Sequence, residues 1–149
     1  MKSPLPGSDL GLQWIVSHPI AYPALEVVHL VGMALLLGSL LLLDLRVWGL
    51  APELPLRPLA RLSLGVTAVG FGLLACSGAL MFAAQAAELL SNRAFVIKLL
   101  LIHLAALNAA WFHGRGSLVR GDGLARAQTV LSLGLWLGAI ICGRWIAYL

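Results

Sequence analysis

Two histidines, His29 and His103, each sit inside a long aliphatic run, VVHLVGM at 27–33 and LIHLAAL at 101–107. An imidazole so placed is costly unless it binds something or is hydrogen-bonded, so it marks a candidate site. If both runs are membrane helices, His29 lies about seven residues into its span and His103 about nine. At about 1.5 Å per residue those depths are roughly 10 and 13 Å. Two neutral imidazoles at one level in a helical bundle would ligate a haem iron from its two faces. The matching contexts also suggest a duplicated helical hairpin.

A second layer lies closer to the same membrane edge. Glu26, Lys98 and Arg144 each fall four or five residues from the ends of their spans. Glu26 is three residues before His29 and shares its helix face. Lys98 is five before His103, about 140° around the helix. This layer is read first as a charge network near the headgroups, with Lys98 and Arg144 extended outward. The functional alternative makes Lys98 and Arg144 the partners of haem propionates. At the opposite edge Asp44 ends a span, where the helix macrodipole disfavours an anion. It calls for a cation, and Arg46, Arg61 and Arg126 all lie at that edge. An Asp44–arginine clamp is the expectation. His113 joins that cluster or meets water, and His18 reads as a surface histidine.

The elements that must hold these residues follow from composition. The chain has 149 residues, 60% hydrophobic and 11% charged, against about 25% charged for a soluble domain. That excludes a soluble fold and predicts an all-α integral membrane four-helix bundle in one transmembrane domain, 1–149. Four runs suit spans: about 22–43, 62–84, 94–112 and 125–148. Pro52, Pro55 and Pro58, then Ser91-Asn92-Arg93, then the glycine-rich 114–123 stretch separate them. Short connections predict antiparallel neighbours. An interfacial helix at about 9–18, capped by Asp9, precedes the first span.

The net charge of +4 is topology rather than a nucleic-acid footprint, so no nucleic-acid partner is expected. Arg46, Arg57, Arg61, Arg115, Arg120 and Arg126 lie at one edge; Lys2, Arg93, Lys98 and Arg144 lie at the other. The positive-inside rule puts the richer edge in the cytoplasm and both termini outward. Trp14, Tyr22, Trp145 and Tyr148 fit the outer interface, and Trp48 and Trp111 the inner one. Glycine ridges for close helix packing are expected at Gly134, Gly138 and Cys142, at Gly72, Cys76 and Ala79, with Ser63, Thr67 and Gly70 nearby, and at Gly32 and Gly38. Two cysteines, Cys76 and Cys142, are too few for a disulfide framework and read as packing residues.

The segments EVVHL…GSLLLLDLRVWGL, FVIKLLL…NAAWFHGRG and GRWIAYL resemble a bacterial family of four-helix membrane proteins of unknown function, over almost the whole chain. The DLR ending the first span and the GR near the end are its more specific marks. A looser resemblance runs to the membrane domain of D-type copper-resistance proteins. Another runs to the membrane-bound, haem-dependent protoporphyrinogen oxidase, which carries a histidine early in its first span and a lysine early in its third, as His29 and Lys98 do here. The family resemblance implies the fold and a bacterial inner membrane, and no activity.

The leading expectation is a haem b electron-transfer protein ligated by His29 and His103, with a redox partner or larger membrane complex. The alternatives are a cofactor-free accessory subunit, an oxidase-like enzyme, and copper handling by Met33, Met81, Cys76, Cys142 and the histidines. A homo-oligomer is compatible with each. No serine, histidine and carboxylate constellation converges, so hydrolase chemistry is not expected.

Overall fold

The computed structural model describes Leu12 and residues 14–148. Every regular element among them is helical: α1 (Trp14–Ser17), α2 (Ala21–Val47), α3 (Leu56–Ala84), α4 (Ala86–Ser91), α5 (Arg93–Gly114), α6 (Ser117–Arg120) and α7 (Gly123–Trp145). The four long helices are α2, α3, α5 and α7, and each is long and apolar enough to cross a membrane. They form the expected four-helix, all-α arrangement.

Local chemistry sets the helix ends. Asn92 accepts hydrogen bonds from the Ala94 and Phe95 N–H groups and caps α5. Asp122 accepts from Ala125 N–H and caps α7. Such caps satisfy backbone donors that the first turn leaves unpaired. Helix α3 starts at Leu56, six residues before the expected span, because Pro58 falls in its first turn, where a missing N–H is harmless. The last span ends earlier than expected, at Trp145, and 146–148 form a turn. The connection after α3 breaks at Gln85 and contains α4, a short helix not anticipated. Residues 9–11 and 13 of the expected interfacial helix lie outside the described residues; of the rest, Trp14–Ser17 form α1, which packs on α2 and α3.

Two antiparallel hairpins make the bundle. Helix α2 packs on α3 and α5 on α7, and the hairpins meet chiefly along α2 and α7. Phe71 and Trp136 join α3 to α7 edge to face, and Phe82 stacks on Phe95 of α5. One register runs the length of the first hairpin: His29 meets Ser77, Leu36 meets Gly70, and Ser39 meets Thr67.

The closest backbone approach explains two glycines. A Cβ on Gly70 would lie 2.7 Å from Leu36 N, and one on Gly32 would lie 2.9 Å from Gly70 O. Only glycine allows that crossing. The expected ridge of Gly72, Cys76 and Ala79 is corrected. Cys76 and Ala79 are exposed, and nothing lies within 4 Å of a Cβ built on Gly72. The true packing face of α3 carries Ala60, Ser63, Gly70, Ser77 and Ala84, all buried. Of the other expected glycines, Gly138 packs on Leu101, whereas Gly38 and Gly134 face open space.

Candidate functional site

Ser77 lies buried on α3 and makes two contacts that fix a histidine. Its Oγ is 2.6 Å from Leu73 O and 2.9 Å from His29 Nδ1. Two oxygens 2.6 Å apart need a proton between them, and a carbonyl has none to give. The single hydroxyl proton of Ser77 therefore goes to Leu73 O. Ser77 can then only accept from His29, so His29 Nδ1 carries the hydrogen. Its Nε2 is left with a bare lone pair. An imidazole oriented through one nitrogen and open at the other is the usual arrangement of a metal-ligating histidine. The ring lies against Gly78, where an added Cβ would meet His29 Cε1 in ordinary contact at 3.4 Å.

Lys98 of α5 completes the pair. Its side chain lies over α7 at Gly143, where an added Cβ would be 3.3 Å from Nζ. Among the described residues Lys98 has no carboxylate partner, because the ion pair there is Arg115–Asp122, at 2.7 Å. The site thus combines a bare imidazole nitrogen with an amine that lacks an anion.

His103 does not join it. It is exposed, and its Nδ1 donates to Leu99 O of its own helix at 2.7 Å. The buried face of α5 is Ala94, Phe95, Ala105, Asn108 and Phe112. His103 lies two residues before Ala105, about 200° around the helix. Rotation puts His29 against α3 and His103 on the outer surface of α5. The bis-histidine arrangement does not fit these residues.

The remaining expected residues are also displaced. Arg144 turns to Tyr148, donating to its hydroxyl at 3.1 Å and lying over its ring. Glu26 is exposed. His113 is exposed and stands edge-on to Phe112. His18 is more than a surface residue: its Nδ1 lies 3.2 Å from both Ile20 N and Ala21 N and accepts from the start of α2.

The Asp44 clamp is also corrected. Asp44 is 4% exposed and its Oδ2 has no hydrogen-bond partner. Arg46 instead donates to Leu54 O and Pro52 O, bracing the proline loop. Arg61 and Arg126 are exposed and form no ion pair with it. Around that level lies a polar network the sequence reading missed. Asn108 Nδ2 donates to Gln128 O at 2.9 Å, and Ser117 Oγ donates to Gln128 Oε1 at 2.7 Å. Arg115 links Ser117 to Asp122. Trp48 Nε1 donates to Thr129 Oγ1 at 2.7 Å, tying α2 to α7. The sequence signal for it is the pair of amides inside apolar runs, Asn108 and Gln128.

Among the described residues no group of three or more histidine, cysteine or acidic side chains gathers. Cys76 is exposed on α3 and Cys142 half-buried on α7. No family model, curated protein or solved structure matches the chain.

Proposed function

We propose that the protein is a multi-pass membrane protein that binds haem b through His29 Nε2, with Lys98 beside a propionate, and passes electrons in the bilayer. The observation that carries this is the His29–Ser77 bond, which leaves Nε2 bare. The resemblance to the haem-dependent oxidase rests on His29 and Lys98. Bound haem supplies a one-electron couple. Ser77 holds the ligand ring in one tautomer, and the ring and the lysine lie against Gly78 and Gly143. His29 would be the one protein imidazole on the iron.

The visible spectrum of protein purified after expression with ample haem tests this. A b-type spectrum of high-spin character is expected. His29→Ala should abolish it, and Lys98→Gln should weaken haem retention. His103→Ala and His113→Ala should leave it unchanged. Loss on His103→Ala with His29→Ala silent would overturn the assignment.

A second reading, the cofactor-free accessory subunit, draws on the thin core. Between 11% and 22% of each apolar window is buried. Lipid covers most of the rest, and a further membrane protein or a second copy would take part of it. A colourless, folded wild-type protein establishes this reading over the first. In either case the arginine count supports both termini outward, and the resemblance to the bacterial family supports a bacterial inner membrane. Reporter fusions after Ser91 and after Gly116 should report opposite sides.

A further inference from the structure

The first half of α3 carries a feature that neither the helix packing nor the His29 site uses. Arg57 and Arg61 are one turn apart on one face, and Gly65 and Val69 continue the same stripe. Leu62 lines the groove beside them, and Leu35 of α2 forms the opposite wall. Together they enclose an open, mostly apolar groove of about 720 Å³. From Arg57 to Val69 the stripe runs roughly 18 Å along the helix, about the depth of one leaflet of a ~30 Å hydrocarbon core.

Three observations say what belongs there. Both arginines are exposed, and neither has an ion-pair partner among the described residues. They occupy the first two turns of α3, whose first turn has no acidic residue and whose Pro55 gives no side-chain cap. A helix start favours an anion, and here two cations add to that preference. Finally, nothing lies within 4 Å of a Cβ built on Gly65. Gly65 therefore serves no helix contact; its missing side chain deepens the groove midway along its length.

We infer that this groove is a binding site for one anionic phospholipid, with its phosphate between Arg57 and Arg61 and one acyl chain along Leu62, Gly65 and Val69. The charge selects the headgroup and the groove selects a chain. A free phosphate would satisfy the arginines but leave the apolar floor uncovered.

Native mass spectrometry of the full chain, titrated with dioleoyl phosphatidylglycerol or dioleoyl phosphatidylcholine, tests the site. The wild type should retain one phosphatidylglycerol at roughly thirtyfold lower lipid concentration than phosphatidylcholine, the scale expected for two basic residues at an anionic headgroup. The double variant Arg57→Gln, Arg61→Gln should lose that preference. Gly65→Phe should lower retention of both lipids, with helicity by circular dichroism unchanged. Equal retention of the two lipids by wild type and double variant would overturn the inference. So would full displacement of the lipid by inorganic phosphate, because a chain-independent anion site would then suffice.

Discussion

His29 Nδ1 and Ser77 Oγ lie 2.9 Å apart across the α2–α3 interface, 48 residues apart in the chain. The hydroxyl's proton is committed to Leu73 O, so this one contact sets the histidine tautomer.

Nitrogen NMR of histidine-labelled protein should therefore find His29 protonated at Nδ1 and bare at Nε2. Ser77→Ala should remove the preference and cost about 1 kcal/mol of stability, the ordinary worth of a hydrogen bond. An Nε2–H signal in the wild type would contradict the assignment.

Gly70 and Gly72 are two residues apart, yet substitution by alanine should act in opposite directions. At Gly70 the new methyl meets Leu36 backbone nitrogen at 2.7 Å, so the helices must separate. A loss of about 1–3 kcal/mol is expected, as for other overpacked sites. At Gly72 the methyl enters open space. Better helix propensity should then make that variant neutral or more stable by up to about 1 kcal/mol. Unfolding in mixed micelles reads out both.

Asp44→Asn separates an ion pair from an unpartnered group. Burying a carboxylate without a partner is costly, and breaking a buried pair is costlier still. Since Asp44 has no arginine partner here, the amide should leave stability unchanged or raise it. A loss of several kcal/mol would show a clamp after all.

Asp122 gives a pH dependence of known sign. Arg115, by its hydrogen bond first, and Ala125 N–H next hold its carboxyl below the ordinary value of 3.8. A depressed carboxylate contributes stability that is full above its unfolded value and is lost as pH falls through its folded one. Thermal unfolding should weaken below about pH 4, near the carboxylate reference value. Asp122→Asn keeps a good cap without the charge and should flatten that acid limb. An unchanged acid limb in the variant would place the effect elsewhere.

Much of this molecule follows from the sequence alone. Four runs of apolar residues separated by Pro52–Pro58, Asn92 and Gly114–Gly123 can only be satisfied as spanning helices, since lipid offers no partner to the backbone. The breaks at Asn92 and Asp122 are local properties and were legible as ends of helices; that their side chains cap α5 and α7 is seen only in the structure. What lay beyond reach was rotation about each axis and the register between hairpins. In a uniformly apolar helix no hydrophobic stripe marks the inward face, so His103 could be given a depth but not a direction. The sequence names Gly32, Gly38, Gly70 and Gly72 alike; only the α2–α3 crossing selects the first and third. The same crossing brings Ser77 to His29, and the packing of α5 on α7 lays Lys98 over Gly143. Those contacts join residues 45 or more apart. They depend on which small residues let two backbones touch, a question that only the assembled helices answer.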